Sequence, residues 1–260
     1  MANSATVKEA QIGSSTMVKS FCLATLVTAL LASSGVFAAG GVELEPAEND
    51  VGNVNSLQRG ARNFMNYCSG CHSAKYVRLN SVAADLQLSE DQLLDNLMFN
   101  AEKTFETIQA NMSPEDGSRW FGSAPPDMSL MARARGTDYI FNYLKGFYLD
   151  KDSPTGVDNR VLAGTSMPNV LWELQGHQVA IFVEDEHGVE VFERFEQDSQ
   201  GTMSSEEFDE FVRDTANFLE YISEPIRSKR RVLGVWVLMF LTVFWIIASM
   251  LKKQVWKDVT

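Results

Sequence analysis

Cys68-Ser69-Gly70-Cys71-His72 is the stretch around which the rest of the chain is organised. Two thiols one helical turn apart can both reach one edge of a flat macrocycle and add to its two vinyl groups. The imidazole that follows at once is then placed beside the central iron, so the five residues read as the attachment site of one covalently bound c-type haem. Zinc would need one or two further ligands, but there is no second cysteine pair, and His177 and His187 lack the close spacing of a zinc finger. A thioredoxin-like redox pair is disfavoured by the absence of a strand before the motif and by the histidine after it. The only other cysteine, Cys22, falls in a segment expected to be removed.

Upstream of the motif, Leu57, Gly60, Ala61, Phe64 and Cys68 recur every three or four residues, which predicts an amphipathic helix over 56–67 that delivers Cys68 at its C-terminal end. Residues 40–55 lack such a repeat and read as an extended lead-in. Downstream, Ser89-Glu90-Asp91-Gln92 is a capping box, and Ser113-Pro114 and Ser204-Ser205-Glu206-Glu207 are further helix starts. Ala124-Pro125-Pro126-Asp127 is a stiff break before a helical segment over 128–135 that Gly136 ends. Asp138 is then expected to cap a helix carrying Tyr139, Ile140, Tyr143, Leu144 and Phe147. The loop 150–168 is rich in Gly, Pro, Asp and Asn. Its first residues fail as a calcium loop, because the glycine comes one position late and Val161 stands where the last acidic ligand belongs. Residues 178–183 and 189–195 flank Asp185-Glu186-His187-Gly188 and predict a β-hairpin. The fold class is therefore mainly α: a c-type cytochrome domain with a small β-hairpin and one C-terminal transmembrane helix.

The two ends of the chain set its location. Val232 to Leu251 holds no charged residue; at 1.5 Å per residue such a run spans about 30 Å, a bilayer's hydrocarbon core. Basic residues flank it on both sides, at Lys229-Arg230-Arg231 and Lys252-Lys253, so flanking charge alone leaves the orientation open. Near the start, Lys19, the apolar run 21–31 and the small residues to Ala39 predict a secretory signal in 1–39, with a polar upstream extension that makes Met17 an alternative start. The expected organisation is thus a signal peptide at 1–39, a periplasmic domain at 40–228, an anchor with its basic flank at 229–251, and a cytoplasmic tail at 252–260. This corresponds to a single-pass protein of a bacterial inner membrane. Residues 40–228 carry 32 acidic against 14 basic side chains. That field excludes nucleic acid as a partner and would draw basic proteins over a Debye length of about 8–10 Å.

A haem that only transfers electrons needs a sixth ligand, and a thioether raises the iron's potential. Met167 leads, since Gly164-Thr165-Ser166-Met167-Pro168 can project its side chain from a loop; Met112, Met128, Met131 and Met203 compete. The combination of the cysteine motif, Pro125-Pro126-Asp127-Met128-Ser129, Arg133-Ala134-Arg135, the loop 164–168 and a last membrane helix after Glu224-Pro225 resembles the cytochrome c1 family over nearly the whole mature chain. The resemblance implies that Met167 is the axial methionine, that Arg135 lies near a haem propionate, that Tyr139 lies beside the haem, and that Pro125 and Pro126 line it. Two departures stand out. Some bacterial relatives steady the methionine loop with a disulfide for which this chain has no cysteines, so packing is expected to hold it. Trp120-Phe121-Gly122 replaces a more polar stretch and leaves a second propionate contact unassigned.

The function implied is that of an electron-transfer subunit of ubiquinol–cytochrome c oxidoreductase. It would sit beside cytochrome b and a Rieske iron–sulfur protein in a dimeric complex and pass electrons to a cytochrome c. Six-coordinate iron leaves no place for substrate, so no catalytic base or nucleophile is expected on this chain. The alternative is a membrane-anchored haem sensor or enzyme with an open iron site.

Overall fold

The computed structural model describes residues 42–258. The expected signal segment 1–39 and the end of the tail lie outside the described residues. Asn53 accepts the N–H of Ser56 and so opens helix α1, Val54–Tyr67, two residues earlier than the apolar repeat suggests. Strand β1 (Ala74–Arg78), helix α2 (Leu79–Asp85) and helix α3 (Glu90–Leu97) follow, the last opened by the expected capping box of Ser89 and Gln92. Strand β2 (Thr107–Ile108) pairs with β1. Helix α4 (Pro114–Phe121) starts on Ser113 and stops at Gly122, whose φ of 81° ends a helix without strain.

Helices α5 (Met131–Arg135) and α6 (Thr137–Lys145) meet at Gly136, which has φ 92° and serves both ends. Asp138 does not cap α6 as expected. It lies within the first turn, and its carboxylate accepts the N–H of Ala47 at 2.8 Å, pinning the extended lead-in against the helix. A short pair, β3 (Phe147–Leu149) and β4 (Val157–Asn159), leads to helix α7 (Trp172–Gln175). The hairpin of β5 (Gly176–Glu184) and β6 (Glu190–Gln200) is present and longer than its apolar alternation. Asp185 turns it by accepting the N–H groups of His187 and Val189. Gln178, buried within β5, ties the hairpin to the domain through the carbonyls of Lys145 and Phe147.

Helix α8 (Ser205–Ser223) is the centre of the fold, packed against α1, α5 and α6. It crosses α1 at Gly60, where an added Cβ would lie 2.1 Å from the Asp214 carbonyl oxygen. Phe64 meets Phe218 and Tyr67 meets Phe211 across this seam, with ring centroids 5.8 and 5.4 Å apart. Phe64, Phe141, Phe147 and Phe218 are fully buried, and at about 25 cal/mol per Å² such rings are a main source of the fold's stability. At the rim of the seam Asp214 accepts Ser56 and Arg59, so the buried carboxylate is paired.

Helix α9, Arg227–Val255, contains the expected apolar run and extends beyond it at both ends. Its most apolar 18 residues have a mean hydropathy of 2.4, and the run from Val232 to Leu251 packs against nothing in the domain, as suits a helix whose solvent is lipid. Glu224 bridges Arg133 of α5 and Arg230 of α9, and Glu220 pairs with Arg227. The root of the membrane helix is thereby joined to the helices that carry the site described next.

Candidate functional site

The cysteine motif continues the end of α1. Cys68 N–H donates to the Phe64 carbonyl, and the N–H groups of Cys71 and His72 both donate to the Cys68 carbonyl, at 3.1 and 2.8 Å. Ser69 is buried and bonds back to Met65. The backbone thus makes one more helical turn, which is why the spacing puts both thiols and the imidazole on one wall. Burial, reinforced by neighbouring Cys71, pushes the Cys68 thiol up to about 12, and burial also raises Cys71. Both stay protonated at neutral pH.

His72 is oriented by a residue 54 positions away. Its Nδ1 lies 2.8 Å from the Pro126 carbonyl oxygen. A carbonyl only accepts, so Nδ1 carries the proton and Nε2 keeps its lone pair for a metal. Burial lowers the imidazole's pKa despite the opposing pull of that bond and of Asp127, so the ring is neutral, as ligation requires. The segment carrying Pro126 is stitched to the motif's exit: Met128 N–H donates to the Ser73 carbonyl at 2.7 Å, and Asp127 accepts the N–H groups of Lys75 and Ser129. Pro125 is backed by Gly117 of α4, where a Cβ would sit 2.5 Å from the proline ring.

A cavity of about 410 Å³ opens beside this wall. Cys68, Cys71, His72, Pro125, Pro126, Arg135, Tyr139 and Met167 all line it, so the residues that the resemblance assigns to the haem share one space. Met112, Met128 and Met131 line it too, whereas Met203 belongs to a separate polar cavity. Tyr139 and Tyr143 stack with centroids 6.0 Å apart, and the Arg135 guanidinium lies 5.5 Å from the Tyr139 ring. Arg135 is exposed and makes no ion pair with any described residue. His177 stacks on Trp172 and His187 sits at the hairpin turn, so neither joins the site.

Some of the site was not evident in the sequence. Phe121 lines the cavity, and Tyr143 bonds Thr165 at 2.7 Å; only the aromatic spacing of α6 hinted at the latter. The loop before Met167 is held by hydrogen bonds in addition to the expected packing, which seats Met167 against the core. The Asp158 carboxylate accepts the N–H groups of Asn159, Gly164 and Thr165, and Asn159, fully buried, accepts Val161 and Leu162 while donating to the Tyr143 carbonyl.

The profile of the cytochrome C1 family matches residues 50–259. The chain belongs to the cytochrome c1 family. Among similar proteins, the cytochrome c1 of Allochromatium vinosum is 43% identical over 93% of this chain and the whole of the relative. The ammonia monooxygenase gamma subunit of Nitrosomonas europaea is 38% identical over 94% of this chain and 99% of its own length; the reaction in its name stays with that protein. A subunit of Candida albicans named cytochrome b-c1 complex catalytic subunit, mitochondrial, is 26% identical over 78% of this chain and 72% of its own length. Membership of the cytochrome c1 family implies a haem c cofactor and an electron-transfer role. The cavity suits such a group: it is mostly apolar, of the size of cofactor sites, and holds two thiols, a neutral imidazole with a free nitrogen, and thioethers.

Proposed function

We propose that this protein is the membrane-anchored electron-transfer subunit of a ubiquinol–cytochrome c oxidoreductase of the bc1 type. Cys68 and Cys71 would hold its single haem c covalently, and His72 and Met167 would bind the iron. It takes one electron from a Rieske iron–sulfur protein and passes it to a cytochrome c, working beside cytochrome b in a dimeric complex. The observation that carries the reading is that one apolar cavity gathers both thiols, an imidazole with Nε2 free, and Met167. The name of the Candida relative supports the complex. When bound, the haem supplies a one-electron iron couple whose potential a thioether ligand raises.

The chain's own residues do the rest. Pro126 holds the His72 tautomer. Met112 and Met128 have their backbones bonded to Gly70 and Ser73, next to the cysteine motif, and Met131 begins α5; Met167, on a loop of its own, is the favoured second ligand. Arg135, without a carboxylate partner among the described residues, would neutralise a propionate, and Tyr139, Pro125 and Pro126, which line the same cavity, would pack against the haem. The apolar lining excludes water from the iron. Export by the segment 1–39 would put the domain 40–228 on the periplasmic side, with α9 as a single anchor in the inner membrane and the tail in the cytoplasm.

Haem staining after denaturing electrophoresis tests the covalent link: the parent should stain, and the Cys68→Ser, Cys71→Ser double variant should not. A parent that does not stain after maturation in a competent host refutes the reading. Met167→Leu should abolish the sulfur-to-iron charge-transfer absorption and lower the midpoint potential; an unchanged spectrum removes Met167 from the iron.

A further inference from the structure

The loop that bears Met167 has an unusual construction. It runs from β4, just after Gly156 with φ 75°, through Gly164, with φ 71°, and it contains no cysteine that could hold it by a disulfide. Two adjacent side chains at its root hold it instead. Asp158 Oδ1 receives N–H groups from Asn159 at 2.7 Å, Gly164 at 2.7 Å and Thr165 at 3.3 Å, and its Oδ2 faces the Tyr148 hydroxyl at 3.4 Å. Asn159 is completely buried; its Oδ1 takes the N–H of Val161 at 2.9 Å, and its Nδ2 donates to the Tyr143 carbonyl at 2.8 Å. Thr165 closes the circuit through its hydroxyl, 2.7 Å from that of Tyr143 on α6.

We infer that Asp158 is the positioning residue for the sixth iron ligand: a carboxylate hub that fixes the backbone of Gly164 and Thr165, and through them Met167, in place of a covalent staple. The inference rests on the reading that Met167 ligates the iron. The chemistry favours a carboxylate because one oxygen must accept several N–H groups at once, and an ionised acceptor makes such bonds about twice as strong as a neutral one. The hub is local to the far end of the loop, while Tyr143 connects it to the wall of the cavity. Asp158 itself does not line the cavity, so it acts only through the loop.

A loop freed at Gly164 and Thr165 leaves the iron five-coordinate for part of the time, and a small exogenous ligand reports that fraction directly. The test uses full-length, haem-loaded protein and carbon monoxide as the probe. The parent in its reduced state should be nearly inert to carbon monoxide. Asp158→Ala should raise the bound fraction at subsaturating gas by about tenfold or more, the factor expected when charge-assisted bonds are removed from one of two competing states. It should also weaken the sulfur-to-iron absorption of the oxidised form. Asp158→Asn keeps an acceptor at Oδ1 and should return both readouts most of the way to the parent, which a merely volume-filling role would not require. Met167→Leu must bind carbon monoxide fully. If it does and Asp158→Ala stays as inert as the parent, the hub is refuted while the ligand stands. If Met167→Leu is itself inert, Met167 is not the ligand and the hub falls with it. If Asp158→Ala does not accumulate with haem, Tyr143→Phe, which removes one hydroxyl and keeps the ring, should raise carbon monoxide binding by about threefold on the same reasoning, and no rise refutes the inference.

Discussion

Gly60→Ala opposes two physical effects of opposite sign. In an isolated helix the change would stabilise α1 by about 1 kcal/mol through propensity alone. In this fold the new Cβ lies 2.1 Å from the Asp214 carbonyl oxygen and 2.7 Å from the Phe218 Cβ. Both belong to α8, and the first is backbone, so no side chain can swing aside. The helices must part by about 1 Å, loosening close-packed contacts along the seam. Overpacking of this kind costs about 1–3 kcal/mol, and a backbone obstacle places it at the upper end. Subtracting the propensity gain leaves a loss of about 2 kcal/mol, a fall in melting temperature of ~4–8 °C for a domain of this size. Thermal unfolding of the detergent-solubilised holoprotein, followed by far-UV circular dichroism, measures it. Gly70→Ala is the control, because a Cβ there meets nothing within 4 Å. A Gly60→Ala melting temperature equal to or above that of the parent would refute the tight crossing and leave propensity as the governing effect.

Other perturbations follow from the same geometry. Ser204→Ala removes the acceptor for the Glu207 N–H and half of a reciprocal capping box, which should lower stability by about 1 kcal/mol in denaturant titration. The Tyr148 phenol is pushed up to about 12, chiefly by burial and then by the Asp158 carboxylate. An acid raised in the folded state contributes stability that is complete below its ordinary value near 10 and is lost as pH rises towards about 12, because the unfolded chain releases that proton first. Melting temperatures should therefore drop more steeply between pH 10 and pH 12 in the parent than in Tyr148→Phe, and equal slopes would count against the burial of that hydroxyl. Ending the chain after Glu224 removes α9, whose apolar surface packs on nothing in the domain; the haem domain should then appear in the aqueous fraction on membrane separation.

What the sequence determined by itself is whatever chemistry acts over a few residues. The motif at 68–72 turns because each N–H finds its acceptor three or four positions back. The capping boxes at Ser89 and Ser204 close within one turn, and α9 is apolar along its own length. These features name the cofactor class and the membrane segment without reference to any distant part of the chain. Tertiary structure decided the rest. The tautomer of His72 depends on a carbonyl 54 residues away, and Asp138 abandons its cap for Ala47, 91 residues away, because a buried N–H there would otherwise go unpaired. Among the five candidate methionines, only the folded backbone sets Met203 apart from the cavity and ties Met112 and Met128 to the cysteine motif. The two-residue strand β2 has no periodicity to read, since it exists only through its pairing with β1. That the loop holds no cysteine could be read from the sequence, but the hydrogen bonds that Asp158 and Asn159 make within it could not. A short polar side chain acquires its partners only when the loop has closed around it.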